Sequence, residues 1–380
     1  MIIGCGGEPE KSHQAINRGT TDERRDPADR LVAMTIPTPL RVEEVSDERF
    51  LELARGADHP VPIEQAPAWD AYDAAVPGRE HLVRLAVLGG DDAPVAVVSL
   101  SRYEVRGFPY VWAKHGPVPL VERTAEHEKA IRDALTSDIK ERFPWAVFLR
   151  MHARHAAPEL QELLQTVTFD HTVYIDLTPE PDAIMATFSK RGRYKIRRTL
   201  KDEAMTVTEE TGLSAEAFGE LYDIYRETAE GAGFGIFPAE MYLTMLEALA
   251  PHARVWVARR HDTGPDGDLA PGRAVAWVIA VVHEDGGTDY YAGNNLEARD
   301  TNAALRIKWE ILMTLKEEGV REYDLFGVGS DRAPQLMGVR EFKQQFGEIV
   351  ECDGAWDVPL KPLRYRALVT ALRLKRAVRG

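Results

Sequence analysis

The sequence predicts an α/β fold built from two similar units, and three observations support this prediction. The 380 residues fit two domains of ordinary size, and a hydrophobic content of 44% is enough for two cores. Each half contains three successive strand segments separated by turns, and apolar and polar residues alternate in the first-half segments His81–Leu88 and Val95–Val105. In both halves helices precede this meander and a helix and a strand follow it, which favours duplication of one α/β unit.

The first half starts after a polar tail over residues 1–35, which we expect to be disordered. A strand near residue 40 and two short helices should follow it. The later predicted elements are strands His81–Leu88, Val95–Val105 and Phe108–Trp112, helix Ala125–Arg142, strand Ala146–Arg150 and helix Pro158–Gln165.

The second half repeats this order. It should open with strand Thr172–Leu177 and a helical region, Pro181–Ala204, that is broken around Gly192. The remaining predictions are strand Val207–Glu210, helices Ala215–Glu230 and Pro238–Leu249, strands Val255–Arg260, Val275–His283 and Gly287–Ala292, helix Ala303–Glu318 and strand Glu322–Phe326.

Charge and cysteine content narrow the function classes. The net charge of −14 argues against a general nucleic-acid coat protein, so any RNA-binding surface has to be local. No apolar run reaches the length of about 18 residues that a membrane span needs. Of the two cysteines, Cys5 lies in the tail and Cys352 near the end, so we expect no structural disulfide and a cytoplasmic location.

A dense basic cluster is the strongest local signal. It comprises Lys190, Arg191, Arg193, Lys195, Arg197, Arg198 and Lys201. Arg193 and Arg197 share one face of a helix. Such a run repels itself unless phosphates neutralise it, which favours RNA binding. The alternative is a solvated face balanced by the acids Asp202, Glu203, Glu209 and Glu210.

A second signal is the segment Phe342-Lys343-Gln344-Gln345-Phe346-Gly347. Phe342 and Phe346 are four residues apart and should pack together, which would hold Lys343 in a fixed direction. An ammonium held in this way can stabilise a developing oxyanion or bind a phosphate. The alternative is a packing turn that carries a surface lysine.

Two strand ends carry further candidates. Tyr290 and Tyr291 are adjacent on a predicted strand, so one should face the core and the other should face away, where its hydroxyl can position an amine. Both can equally be ordinary strand aromatics. Asp324 ends another strand, where a carboxylate acts as a base or caps the next turn.

The C-terminal segment from Lys361 is basic and amphipathic, with no acidic residue among the last twenty. It should contact an anionic membrane or RNA, or pack on the first domain with its charged face outward. The sequence contains neither a His-Glu-x-x-His motif nor a cysteine-pair zinc motif, so no metal is expected.

Several segments, in the right order over residues 38–366, resemble the FemABX family of peptidoglycan bridge-forming transferases. The matching segments are Gln65 to Trp69, Lys114-His115-Gly116-Pro117, Thr172 through Asp176-Leu177 to Lys201, Tyr323-Asp324, Phe342 to Gly347, and Trp356 to Leu360.

The resemblance implies two tandem GNAT-like acyltransferase domains around a shared cleft, without a coiled-coil arm. Residues 36–170 together with 350–380 would form the first domain and residues 171–349 the second. It also implies aminoacyl-tRNA as co-substrate without another cofactor, and lipid II or UDP-MurNAc-pentapeptide as acceptor. The expected protein is a monomer, in the cytoplasm or at the membrane surface.

The implied reaction is direct attack of a stem-peptide amine on the aminoacyl ester. Lys343 would lie near the transferred acyl group, with Asp324 or Tyr291 taking the proton of the amine. Arg193, Arg197 and Lys201 would hold the tRNA, and Trp69 and Phe342 would contact substrate.

Asp73 stands where family members often carry a phosphate-binding lysine. This departure keeps open a tRNA-dependent transferase of peptide natural-product biosynthesis. Two further alternatives are a CoA-dependent N-acyltransferase on the same fold and a non-catalytic RNA-binding protein that uses the basic cluster.

Overall fold

Two mixed β-sheets, each with one parallel strand pair, organise the chain. The structure is a computed structural model that describes residues 39–90, 92–164, 169–232, 235–262 and 272–379. The tail predicted over residues 1–35 lies outside the described residues.

The first sheet has the strand order β1-β2-β3-β4-β6-β15, and β5 pairs with β3. Its strands are β1 (Arg41–Glu44), β2 (Glu80–Leu88), β3 (Pro94–Val105), β4 (Phe108–Trp112), β5 (Val118–Pro119), β6 (Phe148–Ala153) and β15 (Gly354–Pro359). Only β4 and β6 run parallel among these pairs. Strand β15 comes from near the end of the chain, so the C-terminal segment returns to the first sheet.

The second sheet has the order β8-β13-β12-β11-β10-β9. Its strands are β8 (Tyr174–Asp176), β9 (Met205–Glu209), β10 (Ala253–Arg260), β11 (Arg273–His283), β12 (Gly286–Asn294) and β13 (Glu322–Asp324). The parallel pair here is β12 and β13. In addition, β7 (His171–Thr172) pairs with β14 (Val350–Glu351) in a small separate sheet.

Helices cover the sheets. They are α1 (Asp47–Ala54), α2 (Ala68–Ala75), α3 (Ala125–Arg142), α4 (Pro181–Thr187), α5 (Lys190–Thr199), α6 (Ala215–Ala232), α7 (Ala239–Ala248), α8 (Leu296–Thr301), α9 (Ala303–Glu317), α10 (Met337–Lys343) and α11 (Pro362–Arg379). Ile63–Gln65 and Pro334–Leu336 are 3₁₀ helices. In each half a helix, α3 or α9, lies between the two strands of the parallel pair, as a parallel connection requires.

The apolar pattern explains these elements. Residues Ala274–Val281 of β11 are buried without interruption, as expected for a strand covered on both faces. Helix α9 buries Leu305, Ile311, Leu312 and Leu315 in the core of the second sheet. The α/β fold class predicted from the sequence is therefore confirmed.

Two local predictions are wrong. Residues 158–164 form no helix, because the backbone of Gln161 instead pairs with that of Asp357 beside β15. The break in the second helical region falls at Phe188 and Ser189, not at Gly192. The Ser189 side chain accepts a hydrogen bond from the Gly192 amide and so begins a new helix.

Candidate active site between the two sheets

A pocket of about 180 Å³ lies where the two halves of the molecule meet. Its walls are Trp112, Lys114, His115, His152, Leu163, Phe169, Tyr290, Tyr291, Phe326 and Ala355. Residues around both parallel strand pairs therefore contribute to one concave, largely aromatic site with a few polar groups, the usual character of a small-molecule site.

The second sheet opens at this pocket. Pairing between β12 and β13 stops after Thr288 and Asp324, whereas β12 continues along β11. The register of β12 also shifts, because Asp289 and Tyr291 have partners on β11 and Tyr290 has none. This bulge brings both tyrosines to the pocket, so the prediction that they face opposite sides is wrong.

The first sheet contributes a short loop. The Ala113 amide donates to the carbonyl oxygen of Arg150, and the His152 amide donates to the carbonyl oxygen of Gly116. Lys114 and His115 therefore project from between two backbone hydrogen bonds to β6. His115 has a φ of 54°, which is uncommon for a residue other than glycine. The Gln65 side-chain amide donates to the Lys114 carbonyl oxygen at 2.7 Å and holds the loop from behind.

Glu64 is the centre of the polar groups. It is 7% exposed, it accepts a hydrogen bond from the Tyr290 hydroxyl, and its Oε1 lies 3.3 Å from His115 Nε2 and 3.5 Å from Lys114 Nζ. Burial by itself would raise the pKa of Glu64, but His115, Lys114 and the Tyr290 hydroxyl outweigh it and lower the pKa to about 2. Glu64 is therefore ionised at neutral pH.

Both pocket histidines are neutral at neutral pH. Burial lowers the pKa of His115, against the effect of the Glu64 charge, and lowers the pKa of His152 well below its ordinary value. The two rings lie 4.5 Å apart between centroids. His152 Nδ1 is 3.0 Å from the Asp353 carbonyl oxygen. Since a carbonyl only accepts, this contact places the His152 hydrogen on Nδ1.

Lys343 lies behind the pocket. Its Nζ donates to the carbonyl oxygens of Phe326 at 3.0 Å and Gly327 at 3.2 Å, and the Phe326 ring forms part of the wall. Burial lowers the pKa of Lys343 to about 8, partly offset by Asp289. Lys343 thus supports the turn at Phe326, whose φ is 64°, and is not a lining residue.

Asp324 caps the same turn. Its Oδ1 accepts hydrogen bonds from the Thr172 hydroxyl and the Phe326 amide. Burial raises the pKa of Asp324 to about 6, against these hydrogen bonds. This arrangement corresponds to the capping alternative for a strand-end carboxylate, and the role of Asp324 as a base stays a prediction.

Trp69 and Phe342 reach the pocket only through neighbours. Trp69 is 2% exposed, and Lys114 Nζ lies 4.0 Å from the centroid of its ring. Phe342 packs on Phe346, with 5.6 Å between ring centroids, as the spacing predicts. Neither ring is among the lining residues, so a direct contact of either with substrate stays a prediction.

The basic cluster forms the exposed face of α5. Arg197 and Lys201 are exposed, whereas Arg193 is half-buried and donates to the carbonyl oxygens of Ala186 and Phe188 at the end of α4. Tyr194, on the same helix, is 67% exposed.

Three of the four acids expected to balance this cluster are engaged elsewhere. Asp202 pairs with Arg260, and Glu209 and Glu210 pair with Arg254 and Arg259 of β10. Among the described residues, Arg197 and Lys201 form no ion pair. The solvated-face alternative therefore keeps only Glu203 of the counter-ions that it named.

The basic helix is joined directly to the segment that carries Lys343. The Ser189 amide donates to the Gln345 carbonyl oxygen at 2.9 Å. A Cβ on Gly192 would lie 2.8 Å from the same oxygen, so only glycine permits this approach.

Sequence reasoning missed the role of Glu64 and the charge pair beside the site. Glu64 gave only a weak signal, an acid between Ile63 and Gln65 in a proline-rich turn. Asp289 and Lys308 form a buried ion pair next to the tyrosines. From the sequence, Lys308 on the amphipathic helix α9 would be taken for a surface residue. Only its burial in the structure shows that it belongs to this ion pair.

Comparison with known protein families finds a match in the second half of the chain. Residues 271–373 match the model of the FemAB family. The resemblance to the FemAB family is confirmed. The matched segment contains Tyr290, Tyr291, Asp324 and Lys343. Curated protein sequences gave no significant match.

Several solved structures are similar to this chain. The crystal structure of FemX is 13% identical, with a TM-score of 0.65 over 86% of this chain and 99% of that one. L-PGS from Bacillus licheniformis is 14% identical, with a TM-score of 0.46 over 87% and 98% of the two chains. A tandem GNAT protein from the clavulanic acid biosynthesis pathway is 11% identical, with a TM-score of 0.48 over 85% and 99%.

The fold consists of two mixed α/β units in tandem, with no coiled-coil arm in the part of the chain that the structure describes. The match to the FemAB family supports an acyltransferase. Within the described residues, none of the helices is both long enough and apolar enough to pass through a membrane.

Proposed function

We propose that this chain transfers an amino acid from aminoacyl-tRNA to the stem-peptide amine of a peptidoglycan precursor. The FemAB-family match supports this class of substrates. The observation that carries the proposal is the pocket, which is lined by both halves and includes two neutral imidazoles, one of which lies 3.3 Å from the ionised Glu64 carboxylate. Such a site can bring two reactants together and accept a proton.

The chemistry needs orientation more than a covalent intermediate. An aminoacyl ester is already activated, so an amine held against its carbonyl carbon can displace the ribose oxygen directly. The enzyme then has to accept a proton and stabilise the oxyanion. We assign stabilisation of the oxyanion to backbone amides of β12 beyond Thr288, where its pairing with β13 ends. Lys343, behind Phe326, adds positive charge nearby.

The donor side of the proposal rests on α5. Its exposed basic residues lack acidic partners among the described side chains, and its first turn is bonded to Gln345, two residues after Lys343. A tRNA bound through its phosphates along α5 would therefore lie on the element next to the site.

We also propose that α11 contacts an anionic membrane surface, where a lipid-linked acceptor would lie. Tyr365, Leu368 and Leu372 pack on the first sheet, which anchors the helix. On the outer side Leu363 is 80% exposed and Leu374 is 64% exposed, about three turns apart on one face. Exposed leucines among arginines are typical of helices that lie on membranes.

A transfer assay tests the proposed function. Purified chain is mixed with a pool of charged tRNA and either UDP-MurNAc-pentapeptide or lipid II, and the product is read by mass. We expect an aminoacylated acceptor only when the tRNA is charged. A control with deacylated tRNA and a control with acetyl-CoA separate the alternatives. Product from acetyl-CoA would indicate a CoA-dependent N-acyltransferase, and tRNA binding without any product would indicate a non-catalytic RNA-binding protein.

A further inference from the structure

His115 and Glu64 lie next to each other. In many hydrolytic sites a histidine beside a carboxylate acts as the general base. His115 lines the pocket, and its Nε2 faces the buried Glu64 carboxylate at 3.3 Å. We propose that His115, oriented by Glu64, is the base that accepts a proton from the attacking amine. This inference rests on the proposed function and names the group that carries its proton transfer.

The hydrogen positions follow from the neighbours. An ionised carboxylate only accepts, so Glu64 favours the hydrogen of the neutral His115 ring on Nε2. The lone pair is then on Nδ1, for which the described residues provide no hydrogen-bond partner. A neutral imidazole with one nitrogen beside a carboxylate and the other without a partner among the described residues can take a proton.

The surroundings hold this ring in place. Gln65 bonds the carbonyl oxygen of Lys114, and the main chain on either side of the loop is bonded to β6. The left-handed φ of His115 costs free energy that an ordinary loop would avoid, and such residues concentrate at functional sites. Tyr290 and Lys114 bind the same carboxylate, so Glu64 itself has little freedom to turn away.

The proposed step is balanced. The amine nitrogen forms a bond to the ester carbonyl carbon while one of its protons passes to His115 Nδ1. The tetrahedral intermediate then expels the ribose oxygen, and the imidazolium returns a proton to that oxygen. The ester C–O bond breaks, an amide C–N bond forms, and the enzyme ends in its starting state.

Several charged groups surround the ring and affect its titration. The charged groups are Glu64, Lys114 and Asp353, and the neutral His152 ring lies tilted against His115 with 4.5 Å between centroids. Glu64 and Asp353 raise the pKa of His115, and Lys114 lowers it. Neutralising Glu64 should therefore lower the pKa of His115 further.

Two substitutions at one position test the proposal. His115→Gly and His115→Asn both suit a positive φ, so both should fold, which circular dichroism and thermal melts would verify. Neither residue can accept a proton at neutral pH. We expect single-turnover transfer to fall about 10²-fold or more in both. His155→Asn is the control, because His155 lies outside the pocket and its Nε2 contacts the Arg123 carbonyl oxygen.

Added imidazole separates a chemical role from a packing role. It should restore part of the activity of His115→Gly, whose cavity can hold it, and none of that of His115→Asn. Transfer within about threefold of the wild type in either folded variant would overturn the proposal. A loss in His115→Gly that imidazole does not restore would assign the ring to packing and overturn it as well.

A second measurement does not depend on activity. In Glu64→Gln, the NMR titration of the His115 ring should move to lower pH than in the wild type, and an unchanged titration would contradict the pair. If the wild type transfers nothing from charged tRNA, the proposed function fails and the base role fails with it. An active wild type with active His115 variants removes only the base role.

Discussion

Tyr290 donates its hydroxyl hydrogen bond to Glu64, and this contact joins the second sheet to the 3₁₀ helix Ile63–Gln65 of the first half. The bulge in β12 turns Tyr290 to this position, and its ring stacks on Phe326 at 5.2 Å between centroids. Residues of both halves therefore have to be in contact for the pocket wall to be complete.

Tyr290→Phe tests this connection. The substitution keeps the ring and removes the hydroxyl that donates to Glu64, so the buried carboxylate loses one donor. We expect the free energy of unfolding to fall by about 1–3 kcal/mol at pH 7. Denaturant unfolding measures this. Tyr194→Phe is the matched control, since Tyr194 is 67% exposed and its loss should cost less than about 0.5 kcal/mol. Equal effects of the two substitutions would contradict the proposed link.

The raised pKa of Asp324 predicts the direction in which stability changes with pH, and Asp324→Asn tests this prediction. The folded-state pKa of Asp324, about 6, is above its ordinary value of 3.8, so the folded protein holds the proton more tightly. Wild-type stability should therefore fall as pH rises from about 4 to 6 and stay lower above pH 6. Asparagine stays neutral and can still accept from Thr172 and Phe326.

The difference between Asp324→Asn and the wild type should consequently grow with pH. It should be near zero below pH 4 and reach up to about 3 kcal/mol in favour of Asp324→Asn above pH 6. Unfolding titrations at a series of pH values measure it. A difference that does not change with pH would show that Asp324 is not the group responsible.

Lys343→Met tests whether the ammonium acts on the reaction or only on the turn. Lys316→Met is the matched control, because Lys316 Nζ also donates to two successive carbonyl oxygens, those of Leu177 and Thr178. Both substitutions should destabilise the protein, by about 1.5–3 kcal/mol for the more buried Lys343. Only Lys343→Met should reduce transfer, by up to about 10²-fold, because its positive charge lies directly behind the pocket wall formed by Phe326.

Turnover of the folded Lys343→Met variant near that of the wild type would remove Lys343 from the mechanism. Its position behind Phe326 would then be explained by the two carbonyl oxygens it binds.

Local patterns predicted much of the fold. The apolar strand segments Val255–Arg260 and Val275–His283 correspond to β10 and β11, and the amphipathic segment Ala303–Glu318 corresponds to α9. The pairing of Phe342 with Phe346 also follows from spacing alone. In these cases the residues that decide the structure are neighbours in sequence, so their pattern contains the answer.

Long-range contacts decided the rest. The helix predicted at Pro158–Gln165 is replaced in residues 158–164 by backbone pairing with Asp357, almost two hundred residues away. Glu64 becomes a site residue only because Tyr290, from the other half, approaches it. No local propensity distinguishes such a carboxylate from the many acids on the surface, which explains why the pocket could not be assembled from sequence.

The basic face of α5 leads to a prediction about tRNA. The double substitution Arg197→Glu and Arg198→Glu should weaken tRNA binding, because both side chains are exposed and each contact with a phosphate releases counter-ions. The slope of log affinity against log salt should fall in magnitude by up to about 2. Fluorescence anisotropy over a salt series measures this. Lys140→Glu, an exposed substitution on α3, is the control, and an equal loss there would indicate a nonspecific charge effect.

The exposed leucines of α11 lead to a prediction about membranes. Leu363 and Leu374 lie on one face, so replacing both with serine removes apolar contact without changing the charge of the helix. We expect the wild type to sediment with vesicles that contain anionic lipid and to stay free with neutral ones. The double variant should bind the anionic vesicles about 30-fold more weakly or worse, since each of the two buried leucines contributes about 1 kcal/mol or more. Leu296→Ser is the control, because Leu296 is 64% exposed on the second half. If the double variant binds as the wild type does, α11 does not insert its leucines, and binding to neither vesicle by the wild type removes the membrane contact altogether.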